Sequence, residues 1–200
     1  MVGLTSGQSI VHYWFGRIKS DGDYPLAKSQ ELWFRKDLAV DGEIRDAFEE
    51  TLTRAKAGAF ANWKESVQGA LGLMILLDQF PRYIYRGEVG AFACDEKALM
   101  LAKWGVSRGV YKSLYPVERA FFFMPYIHAE DLESQKESLR LYEALELSSP
   151  ASIRMKMNQF RNMAIKAHDT IERFGRFPQR NIILGRESTL EEKRFLELKY

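Results

Sequence analysis

Residues 67–80 read VQGALGLMILLDQF, and within them Leu71, Leu73, Met74, Ile75, Leu76 and Leu77 leave almost no polar side. A helix that is apolar nearly all round belongs in the middle of a fold, with other elements packed against every face. The rest of the chain must therefore supply amphipathic cover, and its patterns are helical. No segment alternates apolar and polar residues as a half-buried strand would. Helical spacing fits residues 9–17, 24–36 and 42–56. Asp95 is placed to cap a helix ending near Gly109. Pro116 opens another, which Pro125 should kink or split. Ser149 and Pro150 read as an N-cap followed by a proline at the first helical position. The helix they start, residues 151–174, carries Ile153, Met157, Phe160, Ala164, Ile171 and Phe174 on one stripe and ends at Gly175. Ser188 and Glu191 have the spacing of a capping box that would start a last helix toward Tyr200. The expected fold is all-α: a single domain over residues 1–200, about eight or nine helices, short connections. An irregular bundle and a solenoid of helical hairpins both fit this pattern.

Composition narrows the function classes. The 29 basic and 27 acidic residues leave a net charge of +2, too balanced for a general nucleic-acid or membrane-surface binder. The single cysteine, Cys94, cannot form an intrachain disulfide and points to a reducing compartment. The first residues lack a basic n-region and a long apolar h-region, and the run ALGLMILL is too short to span a bilayer. The expectation is a cytoplasmic protein with neither a nucleic-acid nor a membrane partner.

The informative residues are polar groups on apolar stripes. At about 100° per residue, Asp78 falls in line with Val67, Leu71 and Met74. A buried carboxylate is costly unless paired or protonated. Arg82 follows one turn later, but Pro81 disturbs the helix between them, so a distant arginine is an equal candidate. In HAEDLESQKESLRLYEAL, residues 128–145, one stripe holds His128, Leu132, Gln135, Leu139 and Tyr142, with Asp131 at its border; Glu130, Glu133 and Glu137 fall on the opposite, solvated side. His168 stands one turn after Ala164, again on an apolar side. The segment RFGRFPQRNIILGR, residues 173–186, follows directly, and is broken at Gly175 and Pro178. Its Arg176, Arg180 and Arg186 would fold back over the core and bind buried acids or an anionic ligand, for which the planar guanidinium fork is suited.

Several long motifs together carry a resemblance: LLDQFPRYIYRG (76–87), AFACDEKAL (91–99), FFFMPYIHAEDLESQ (121–135), His168 and RFGRFPQRNIILGRESTLEE (173–192). The chain resembles, over nearly its whole length, an uncharacterised, largely bacterial family known as domain of unknown function 924. That resemblance implies tetratricopeptide-like helical hairpins stacked in an α–α superhelix, and it implies no reaction. It also marks two departures. Tyr83 stands where the family pattern usually has Asn, and Gln179 where it usually has His; Gln179 replaces a hydrogen bond but not a proton transfer.

Three readings of the inward polar set follow. The residues Asp78, Arg82, His128, Asp131, Gln135, His168, Arg176, Arg180 and Asn181 form a structural ion network, line a pocket or groove for an anionic small molecule or a peptide partner, or serve an enzyme, a hydrolase or lyase, with Asp78 or His168 as base and the arginines holding an anion. A metal held by His128, Asp131 and His168 has less behind it: there is no HExxH, no cysteine pair and only three histidines, so no metal and no cofactor is assigned. Cys94 reads as a structural thiol, and Trp14, Phe15, Trp33, Phe34, Trp63 and Phe121–Phe123 as core. Gly69 and Gly72 allow close helix packing rather than phosphate binding. The sequence leaves the oligomeric state open.

Overall fold

The computed structural model describes residues 6–34 and 37–197, and among these it is all-helical with no strand. Helices α1 (Gly7–Phe15), α2 (Ala27–Phe34) and α3 (Leu38–Lys56) precede the central apolar segment. The expected ends of the second and last helices, at Lys36 and Tyr200, and the side chain of Phe34 lie outside the described residues. The central segment is α4 (Val67–Met74), a π-helical turn (Ile75–Gln79) and α5 (Phe80–Ile84) in one run. It is buried on all sides, as its composition requires: Leu71, Met74, Ile75 and Leu76 are fully enclosed. Fully burying one such side chain contributes ~1.5–3 kcal/mol. Phe80 continues the core into an aromatic cluster, with ring centroids 4.4 Å from Phe48 and 5.7 Å from Trp14.

α1 packs on α4 through glycines. A Cβ on Gly72 would lie 2.2 Å from the carbonyl oxygen of Gly7, and one on Gly7 would lie 2.6 Å from the Cα of Gly69. Backbone meets backbone here, which is the packing role expected of Gly69 and Gly72. α6 (Asp95–Ser107) and α7 (Pro116–Phe122) follow; Phe123 separates α7 from α8 (Met124–His128), with Pro125 in the first turn of α8, so the proline does split the helix. α9 (Leu132–Ser148) and α10 (Ala151–Phe174) form a tight antiparallel hairpin around Ser149–Pro150. Arg161 reaches back to Glu143 and Glu146, and the Tyr142 and Phe160 rings stack 6.4 Å apart. Gly175 closes α10 at φ +68°, the left-handed conformation that favours glycine at a helix end.

Three local expectations change. α10 keeps the expected bounds, Ala151–Phe174, but its cap shifts by one residue: Pro150 is the N-cap and not the first helical residue, and the Ser149 hydroxyl instead donates to Leu145 O at 2.6 Å. The last helix, α11 (Leu190–Glu197), is capped one residue later too. Thr189 N–H donates to the Glu192 carboxylate at 2.7 Å and Glu192 N–H to Thr189 Oγ1 at 3.2 Å, so the reciprocal pair is Thr189 and Glu192, not Ser188 and Glu191. Asp95 is the first residue of α6 and not its cap; its carboxylate is committed elsewhere.

Candidate functional site

The site begins at the π turn. Phe80 N–H bonds to Ile75 O, five residues back instead of four. Pro81 follows at once, and its ring would clash with the carbonyl four residues earlier in α-geometry; the wider turn relieves that clash. π-Helical turns are uncommon and concentrate at functional sites. This one carries Asp78, 1% exposed, to the inner side of the helix.

Asp78 meets His128, the last residue of α8. His128 Nδ1 lies 2.8 Å from Asp78 Oδ1, and the Gln79 side-chain amide donates to Asp78 Oδ2. Burial opposes the charge on Asp78. Attraction to His128 and its hydrogen bond, then the Arg82 guanidinium and the Gln79 amide, outweigh that cost and hold the carboxyl below its usual value. For His128, burial first and then the Arg82 charge push the imidazole down, and Asp78 only partly offsets them. Both directions describe one arrangement: a neutral imidazole whose Nδ1–H donates to an ionised carboxylate. Nε2 then holds a free lone pair, and it has no hydrogen-bond partner among the described residues. The Asp78 side chain is sealed, whereas that of His128 is 20% exposed. The carboxylate is thus the buried orienting group and the imidazole the one that reaches outward.

Two arginines and a second carboxylate stand beside this pair. Arg82, on α5, donates to Asp95 Oδ1 at 2.9 Å and to Ala91 O at 2.7 Å. Arg180, in a 3-10 turn (Pro178–Arg180), donates to Asp95 Oδ2 at 3.0 Å and to His128 O at 2.9 Å. One carboxylate therefore bridges two guanidinium groups, and Arg180 also fixes the backbone of the histidine. The Arg180 guanidinium lies over the Phe92 and Phe177 rings, 4.6 and 4.8 Å from their centroids. Burial lowers its proton affinity; Asp95 works against this and Arg82 adds to it. Arginine stays charged in any case.

The family model described as "Bacterial protein of unknown function (DUF924)" matches residues 10–199. The chain belongs to that family. Its fold is similar to that of ATU0120, a protein of unknown function from Agrobacterium tumefaciens, with a TM-score of 0.81 and 33% identity over 96% of each chain. No curated protein matches the chain. Of the two positions singled out against the family pattern, Tyr83 is buried and its hydroxyl donates to Leu32 O at 2.8 Å, while Gln179 is exposed. Neither bonds to Asp78 or His128 among the described residues.

The remaining candidates disperse. Asp131 does not join the set. The chain bends at Ala129–Asp131, between α8 and α9, so His128 and Asp131 are not one turn apart on a common helix; Asp131 is the exposed N-cap of α9 and accepts Ser134 N–H at 2.8 Å. Gln135 is fully buried, but the two hydrogens of its amide nitrogen are shared among Ala129 O, Ile127 O and Tyr126 O at 2.7, 3.0 and 3.1 Å, and the last of these also accepts Ala129 N–H, so the amide closes the carbonyls at the end of α8. His168, on α10, contacts Asp169 at 3.4 Å, and no described bond joins it to Asp78 or His128. It lies near Asp169 and Glu172, with possible ligand atoms within 4.8 Å of one another, but those acids are exposed and carry no metal assignment.

Arg176 and Asn181 belong to a second network that anchors α11. Arg176 makes two bonds to Glu192, at 2.7 and 2.9 Å, and Asn181 donates to Ser188 and Glu192. The Arg176 hydrogen bonds lower the Glu192 carboxyl to about 2. Glu130 is corrected as well: it is not on a solvated helix face but takes both terminal nitrogens of Arg186, at 2.6 and 3.0 Å, and the Phe177 N–H. Glu133 and Glu137 do face solvent, paired with Lys136 and Arg140. Cys94 is buried, which raises its thiol pKa, as expected of a structural cysteine.

Proposed function

We propose that the Asp78–His128 pair is an acid–base dyad and that the protein is an enzyme, a hydrolase or lyase, acting on a small anionic molecule. One observation carries this reading: a sealed carboxylate is bonded to Nδ1 of a histidine whose other nitrogen is unpartnered and whose side chain reaches solvent. A neutral imidazole oriented in this way is suited to take a proton near neutral pH. Asp78 sets the tautomer and stabilises the imidazolium that forms. Of the two bases considered from the sequence, Asp78 takes the orienting role and His128 replaces His168 as the group that moves the proton. Arg82 and Arg180 supply positive charge beside it, where an anion would exchange with Asp95 or share its guanidinium partners.

A second reading has its own support. Both arginines are already bonded to Asp95 and to backbone carbonyls, as an ion network that only holds α5, α6 and α8 together would have them. The two readings part in a thermal-shift screen against phosphorylated and carboxylate metabolites, since a ligand at 100 times its Kd stabilises by about 2.7 kcal/mol. The enzyme reading expects an anion whose stabilisation survives His128→Gln while its turnover does not. Silence across the screen, with His128→Gln no less active on any compound, leaves the network reading standing.

We also read the architecture as a tetratricopeptide-like stack of hairpins, supported by the α9–α10 pair, and place the protein in the cytoplasm on the strength of its unpaired Cys94. Among the described residues no helix is long and apolar enough to cross a membrane.

A further inference from the structure

The π turn also contributes to a cavity of about 340 Å³, whose lining includes neither Asp78 nor His128. That volume is at the lower end of the ~300–1,000 Å³ typical of small-molecule sites. Its wall includes Leu73 of α4, Leu77 of the π turn, and Leu101 and Trp104 of α6. The first three are buried, as is Phe60, which also lines the cavity, so its buried wall is apolar, aliphatic and aromatic. Two cations line it as well, Lys64 and Lys97, both exposed, and no carboxylate does. Lys64 Nζ lies over the Trp104 ring, 5.5 Å from its centroid, and Lys97 Nζ donates to the Lys56 carbonyl. Among the described residues neither lysine is paired with an acid. An ammonium has three donors, and the one bond seen for Lys97 leaves two of its own.

We propose that this cavity binds a small carboxylate with an apolar body. The acyl or aryl part packs on Leu73, Leu77, Leu101 and Trp104, and the carboxylate is held by Lys64 and Lys97. A neutral amphiphile would gain the apolar contact but not the charge, and acetate the charge but not the contact. The site is distinct from the Asp78–His128 pair and does not depend on that pair being catalytic.

The test is calorimetric titration of the purified full chain with octanoate, with octanol and acetate as controls and the double variant Lys64→Met, Lys97→Met as comparison. Both substitutions are at exposed positions, and a melting curve verifies the fold. The proposal expects saturable octanoate binding, at least tenfold weaker binding of octanol and no measurable binding of acetate. It expects the double variant to lose about tenfold in octanoate affinity while its affinity for octanol is unchanged. Adding a bulky ring at the rim, Met100→Trp, should weaken both amphiphiles. Absence of octanoate binding, equal binding of octanol, or an octanoate affinity indifferent to the two lysines would each overturn it.

Discussion

Replacing Asp78 by alanine should be among the most damaging single changes in this chain. The carboxylate is sealed and accepts from two donors, His128 Nδ1–H and the Gln79 amide. Removing it leaves both donors without an acceptor in a place water does not reach. Each orphaned buried group costs ~1–3 kcal/mol. The missing side chain adds a small void, and relief of the desolvation of Asp78 itself works in the other direction. The balance is ~2–5 kcal/mol, the cost of two orphaned neutral donors offset in part by the desolvation that Asp78 no longer bears. For a domain of this size each kcal/mol moves Tm by ~2–4 °C, so a fall of about 10 °C is expected. Urea denaturation followed by circular dichroism measures the same quantity at 25 °C. Asp131→Ala is the internal control: it removes only an exposed N-cap and should cost ~1 kcal/mol. If Asp78→Ala costs no more than Asp131→Ala, the argument that Asp78 is a buried, doubly bonded anion is wrong.

Gly72→Ala should cost ~3 kcal/mol or more, or prevent folding, because its Cβ would meet the Gly7 backbone and overpacking has no soft side chain to yield here; a melting temperature within 2–4 °C of wild type, the span of ~1 kcal/mol, would contradict the α1–α4 packing. Gln135→Leu should cost ~1–3 kcal/mol by leaving Ile127 O and Ala129 O without the Gln135 amide, while Tyr126 O keeps the Ala129 N–H, and amide exchange should rise in residues 124–129 before it rises in α10. Stability should fall on acidification in two stages. His128, lowered in the folded state, contributes stability above its unfolded value near 6.5, and that contribution is lost as the pH falls through its folded value; Asp78 and Glu192, also lowered, hold theirs above about 4 and lose it on further acidification, Glu192 as the pH nears about 2. A denaturation midpoint independent of pH between 7 and 4 would refute the assignment for His128.

Helical periodicity placed Asp78 inside because residues 67–77 leave no polar face for it to share. Periodicity also made His128 and Asp131 neighbours, and there it failed. AEDL contains no glycine or proline, so nothing in composition marks the bend at Ala129–Asp131; the one available signal was Asp131 itself, an N-cap residue directly before an apolar-periodic run. Which acid each arginine meets is not legible in the sequence. Arg180 meets Asp95 across 85 residues and Arg186 meets Glu130 across 56, distances at which spacing carries no information. Asp95 looked like a cap because it opens a helix, while its carboxylate turns to two arginines instead. The arginine-rich segment, expected to bind buried acids or an anionic ligand, folds back onto acids, of which Glu192 is buried and Asp95 and Glu130 are half-buried, and none of its arginines bonds to Asp78. Pro81 hinted at a disturbed helix; that the disturbance is a π turn carrying the dyad's carboxylate follows only from the three-dimensional packing.

The most direct test of the dyad is the tautomer of His128. With ring-nitrogen-labelled histidine, NMR distinguishes the two nitrogens, and His128→Gln assigns the signal among the three histidines of the chain. The account predicts a neutral ring at pH 7 with the proton on Nδ1 and an unprotonated Nε2. A proton on Nε2, or an imidazolium at that pH, would contradict it.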